Sequence, residues 1–101
     1  MSLDVQIYTK EIKLQQALKR LEQNEDFKLV ILDNYLKSYC ADAIKNSTYP
    51  TQDKEYHIAR AQAAGYLQQY FENIKAQGDQ AENDLYFTNN HLNTTNSIGE
   101  N

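Results

Sequence analysis

The chain reads as an all-α protein, a three-helix body built on an antiparallel αα-hairpin with a polar, acidic, flexible C-terminal tail. Three observations predict this class. Apolar residues recur at three- and four-residue spacings through most of the first 76 positions, the period of a helix with one buried face. Only three Gly and one Pro interrupt 101 residues. The one dense cluster of turn-prone residues, Asn46-Ser47-Thr48-Tyr49-Pro50-Thr51, falls between two long periodic segments, where Pro50 disfavours helix at Tyr49.

Helix one is predicted over about residues 9–23. Leu14, Leu18 and Leu21 follow Ile7 at spacings of seven, four and three, while Lys10, Lys13, Lys19, Arg20 and Glu22 fall elsewhere, so an amphipathic surface helix is expected. Helix two is predicted over about residues 25–46. Asn24 supplies a capping side chain, and Glu25 and Asp26 place two acids in a first turn, where they complement the helix dipole. Leu29, Leu32, Leu36, Tyr39 and Ala43 form one stripe and Phe27, Ile31 and Tyr35 a second, with Val30, Cys40 and Ile44 between them. More than half of this helix should be buried, as the central one. Helix three is predicted over about residues 52–76, with Asp53 and Glu55 in its first turn and Gly78 as its stop. Its expected stripe is Tyr56, Ala63, Leu67, Tyr70 and Ile74, flanked by Ala59, Ala64 and Phe71. The small residues Ala59, Ala61, Ala63, Ala64 and Gly65 suit close packing against helix two, or a groove for a foreign helix.

Charge divides the chain into a helical domain, residues 1–78, and a tail, 79–101. The first carries ten Lys and Arg against ten Asp and Glu; the second carries Asp79, Glu82, Asp84 and Glu100 with no cation. The whole formal charge of −4 therefore belongs to the tail. Its many Asn, Ser and Thr residues bury too little apolar surface to offset the entropy of ordering, so it is expected to be flexible. Leu85-Tyr86-Phe87 is the exception: it either folds back on the body or acts as a short anchor that orders on a partner.

Chemistry is sparse. His57 follows Asp53 by four residues, one helix face, but a metal needs a third and fourth ligand and no other His is near in sequence, and a solvated first turn is the expected setting. His91 lies in the tail. Cys40 sits on the apolar face of helix two with no base beside it, a small core residue rather than a nucleophile. Asp33, Asp42 and Glu72 have Lys partners three or four residues on and read as surface pairs. No glycine-rich phosphate loop can be assembled. We expect no catalysis, no cofactor and no metal. The acidic balance argues against direct nucleic-acid binding, and mimicry of nucleic acid would need a denser array of carboxylates. No apolar run reaches the roughly 18 residues of a membrane span, and no secretory leader is present, so an intracellular, soluble protein is expected.

Tyrosine is in excess, with eight in the chain. Tyrosine buries large area while keeping a hydroxyl partner, which enriches it in protein interfaces. Either most are half-buried edges of the core, or some form an interface. The candidate interface residues are Tyr49, Tyr56, Tyr66, Tyr70, Leu85, Tyr86 and Phe87. A body of some 70 residues buries only about 60% of its unfolded surface, so a protein partner or self-association is expected to add burial.

The run Leu21 to Tyr35 (Leu-Glu-Gln-Asn-Glu-Asp-Phe-Lys-Leu-Val-Ile-Leu-Asp-Asn-Tyr) and the run Ala64 to Ile74 (Ala-Gly-Tyr-Leu-Gln-Gln-Tyr-Phe-Glu-Asn-Ile) resemble small helical proteins encoded among the virion and head-assembly genes of tailed bacteriophages. The likeness covers about residues 14–76. It implies a minor virion or assembly component that binds larger phage proteins, located in the virion or the host cytoplasm, with no catalytic residues to carry over. The alternative is a small phage-encoded inhibitor that docks on a host or defence protein.

Overall fold

A computed structural model describes the backbone of residues 3–100 and the side chains of residues 3–89. The chain is all-α, and the described residues contain no strand. In order they form α1 (Leu3–Glu22), α2 (Glu25–Phe27), a π-helix (Lys28–Tyr39), α3 (Cys40–Asn46) and α4 (Lys54–Glu100). Residues 25–46 are thus one continuous helical stretch whose middle is π-helical.

The breaks lie where side chains can satisfy the ends of helices. Asn24 Oδ1 accepts from the Phe27 N–H at 2.9 Å, capping the second helical stretch as its sequence predicts. At the other end Ser47 Oγ donates to the Ile44 carbonyl at 2.6 Å and Thr48 Oγ1 to the Lys45 carbonyl at 2.7 Å, occupying carbonyls that the helix leaves without partners. Asp53 then opens α4 by accepting from the Tyr56 N–H at 3.1 Å.

Two compact units divide the chain, Met1–Ala17 with Asn73–Asn101, and Leu18–Glu72. In the first, α1 and the C-terminal half of α4 run antiparallel, since Gln15 bonds to Lys75 and Asp79 while Tyr8 feels the charge of Asp84. The face of α4 turned inward is Ile74, Gly78, Ala81, Leu85 and Thr88, at alternating spacings of four and three, the narrow seam of two packed helices. Facing it are Val5, Tyr8, Ile12 and Gln15.

In the second unit, residues 25–46 pack antiparallel on the start of α4, the expected αα-hairpin. The Phe27 and Phe71 rings meet edge to face at 5.9 Å, and at the other end Arg60 reaches Tyr39 and the Cys40 thiol lies 3.8 Å from the Ala61 carbonyl. Ala43, Ala61 and Ala64 are buried, so small residues do allow close helix approach here. Gly65 does not take part: a Cβ there would meet nothing within 4 Å.

Four expectations are corrected. Helix three does not end near Ala76, and Gly78 is not its stop. Gly78 is helical, without positive φ, and its role is to let α1 approach. Residues 79–89, expected to begin a flexible tail, continue α4, with Ala81 buried; from Asn90 onward that expectation lies outside the described side chains, as does His91. Helix one begins at Leu3 and buries a different face: Leu18 is buried, but Ile7, Leu14 and Leu21 are exposed, because the seam is built around Gln15. Helix two is not mostly buried. Of its side chains only Ala43 is fully covered, and Leu29, Val30 and Ile44 are exposed.

The π-helix accounts for part of this last difference. Its bonds reach i−5 rather than i−4 and widen each turn, so covered positions recur about every four residues, at Phe27, Ile31, Tyr35 and Tyr39 with Leu32, Leu36 and Cys40 beside them. Leu29 joins Leu32 and Leu36 only at the α-helical period.

Candidate interaction surface

Three of the candidate tyrosines share one outer face of α4. Tyr56, Ala59, Ala63, Tyr66 and Tyr70 follow one another at spacings of three, four, three and four, which aligns them along one side of a helix. All five are exposed, Tyr66 to 67%. Ala59 and Ala63 are the small residues between the tyrosines. This face lies within the Leu18–Glu72 unit and is distinct from the covered face of Ala61, Ala64 and Phe71. The predicted stripe divides between the two: Leu67, Ala64, Phe71 and Ile74 are on covered positions, whereas Tyr56, Ala59, Ala63 and Tyr70 point out.

A polar cluster beneath Tyr56 fixes the N-terminal end of the face. His57 is only 7% exposed, which corrects the expected solvated first turn. Its Nδ1 lies 2.6 Å from Arg60 Nη1 and its Nε2 3.2 Å from Gln52 Oε1. A guanidinium can only donate, so Nδ1 accepts from Arg60, and Nε2–H is placed to donate to Gln52 Oε1. Arg60 Nε also donates to the Tyr39 hydroxyl at 2.8 Å. Its guanidinium carbon lies 4.2 Å from the centre of the Tyr39 ring and 5.6 Å from that of Tyr56, within reach of cation–π attraction. The Tyr56 ring contacts the His57 ring at 5.3 Å, and Tyr35 stacks on Tyr39 at 5.7 Å. Tyr35 and Tyr39 are therefore half-buried members of the fold. Sequence reading missed Arg60 and Gln52; the signal available was that both lie within five residues of His57.

The remaining candidates divide. Tyr49 is exposed in the loop before α4. Leu85 is half-buried on the inner seam of its unit and offers little to a partner. Tyr86 and Phe87 are both exposed, Phe87 to 70%, and touch edge to face at 5.9 Å.

Among the described residues no three His, Cys, Asp or Glu side chains come together as metal ligands, and both nitrogens of His57 are engaged by Arg60 and Gln52. Cys40 is half-buried with its thiol directed to a backbone carbonyl. The Asp33–Lys37 pair forms at 3.9 Å with both side chains well exposed, the surface pair its spacing predicts. No described helix is long and apolar enough to cross a membrane. Searches against protein-family models, characterised proteins and solved structures each find no match to the chain.

Proposed function

We propose that the protein acts by binding another protein through the tyrosine face of α4, without carrying out a reaction. The observation that carries this reading is the outward stripe Tyr56, Ala59, Ala63, Tyr66 and Tyr70. Large aromatic residues held on a rigid helix with small residues between them are what a partner's side chains can lock into at low entropic cost. The wider setting agrees. The exposed large hydrophobic residues include Leu29, Val30 and Ile44 as well as the tyrosines, whereas Leu18 and Ile74 are the large aliphatic residues buried among those described. A fold that covers so little of its apolar side chains gains from a partner.

The narrower reading, a minor bacteriophage virion or assembly component, rests on the resemblance at Leu21–Tyr35 and Ala64–Ile74. A virion component is found in purified particles at fixed stoichiometry by mass spectrometry. Absence from particles, together with a defined host protein captured by the wild-type chain, would favour the inhibitor reading instead. In either case Tyr56→Ser/Tyr66→Ser/Tyr70→Ser is expected to lose the partner. Retention of the partner by that variant removes the tyrosine face from the account.

A further inference from the structure

We propose that the Arg60 guanidinium, at the edge of the tyrosine face, is a carboxylate-binding site on which the partner protein places an Asp or Glu side chain beside Tyr56. The proposal rests on the reading of that face as the docking surface and adds the chemistry of one partner residue. Arg60 follows Tyr56 by four positions and precedes Ala63 by three, so it borders the outward stripe along the helix. It is half-buried, and among the described residues no Asp or Glu pairs with it. A charge taken partly out of water is ordinarily paired.

The donors of Arg60 show that an anion has room. A guanidinium carries five N–H groups in a planar fork. Nε donates to the Tyr39 hydroxyl and Nη1 to His57 Nδ1, which engages two of them. Nη2 has no partner, and it is not shut away from solvent: Gln15 Oε1 alone is a buried side-chain polar atom without a partner among the described residues. The group is held in place by the Tyr39 and Tyr56 rings at 4.2 and 5.6 Å, neither of which neutralises it. A pre-oriented fork with three N–H groups left over suits the two oxygens of a carboxylate, and Arg beside Tyr is a frequent composition of interface hot spots.

The surroundings favour a single carboxylate over a phosphate backbone. The formal charge of −4 repels a polyanion. Asp53, Lys54, Glu55 and Arg60, the charged residues at this end of α4, cancel one another, so the site is a local fork and not a basic field. Asp53 does not fill it, since its Oδ1 accepts from the Tyr56 N–H.

The chain has two arginines, Arg20 and Arg60, and Arg20 is exposed, which supplies an internal control. The test is a magnetic-resonance titration of the isotope-labelled full chain with a capped glutamate, acetylated and amidated so that its side chain is the only carboxylate. Capped glutamine and sodium chloride at matched ionic strength are the controls. The Arg60 Nε–H and Tyr56 ring signals should shift saturably, with a dissociation constant on the order of tens of millimolar. Arg20 should shift several-fold less, because an exposed pair gains little, and the controls should leave Arg60 in place. An Arg60 signal that stays still, moves equally with glutamine or chloride, or moves no more than Arg20 would overturn the proposal. So would inorganic phosphate saturating Arg60 at a tenfold lower concentration, which would assign the fork to a phosphate group. A silent Arg60 together with loss of the partner in Tyr56→Ser/Tyr66→Ser/Tyr70→Ser sinks this inference and leaves the tyrosine face standing. A responsive Arg60 with the partner retained by that variant removes the face and leaves the carboxylate site.

Discussion

The side chain of Gln15 lies across Gly78. A Cβ at position 78 would come within 2.5 Å of Gln15 Cβ and 2.7 Å of its Oε1, so no other residue fits without displacement. Gln15 is 1% exposed. Its Nε2 donates to the Lys75 carbonyl at 2.8 Å and to Asp79 Oδ1 at 2.7 Å, while Oε1 has no conventional partner. Turning the amide over would aim its oxygen at a carbonyl and a carboxylate, so the observed orientation is the favourable one.

Gly78→Ala should therefore destabilise the chain by about 1–3 kcal/mol, overpacking outweighing the better helix propensity of alanine. In the Gln15→Ala background the same substitution should cost much less, and the difference between the two measures the contact. Urea denaturation of the four proteins checks this. Equal effects in both backgrounds would show that Gln15 does not press on Gly78.

Gly65→Ala should do the reverse. With open space around its Cβ, the change removes a flexible residue from the interior of α4 and should stabilise by about 1 kcal/mol. A rise in thermal midpoint is the expected readout; a fall would mean that another chain approaches at Gly65.

The Arg60 cluster should behave as a unit. Arg60→Ala removes the bonds to Tyr39 and His57 and the attraction to the tyrosine rings, and should cost about 2–3 kcal/mol. Tyr39→Phe should cost about 1 kcal/mol. Once Arg60 is gone, Tyr39→Phe should cost almost nothing. Additive effects in a double-mutant cycle would show that the two residues act independently.

Partial removal from water, followed by the carboxylates of Asp84, Asp4 and Glu11, holds the Tyr8 hydroxyl above its ordinary pKa of 10.0. A raised pKa means that the folded chain keeps the proton after the unfolded chain has released it. The contribution of Tyr8 is therefore complete below pH 10 and is lost as the pH rises beyond it. Tyr8→Phe should flatten the fall in stability above pH 10 and leave neutral pH little changed. An identical alkaline profile in the variant would contradict this.

The legible parts of the fold were those decided locally. Asn24, Asp53 and Pro50 act on backbone within a few residues, and each marks a helix boundary where its chemistry predicts one. Faces were less legible because hydrophobicity alone does not decide them. On α1 the sequence offers a row of leucines, yet the seam belongs to a glutamine that three-dimensional packing pairs with Lys75 and Asp79, 60 and 64 positions away. Gly78 matches two roles, a helix stop and a site of close approach, and only the presence of Gln15 distinguishes them. The π-helical stretch carries no composition signal, so the outward turn of Leu29 was hidden. At the candidate surface the tyrosines themselves were legible, while their separation from Leu85 depends on which side of α4 is covered.

The most direct measurement of the account is photo-crosslinking from a benzoylphenylalanine placed at Tyr66, on the exposed tyrosine face, compared with one at Gln68, also exposed but on another side of α4. In cells that contain the protein's natural partner, position 66 should yield one discrete cross-linked protein and position 68 little of it, and Tyr56→Ser/Tyr70→Ser should abolish the product. Equal yields at the two positions, or a product that persists in that variant, would contradict the claim that this face is what the protein works with.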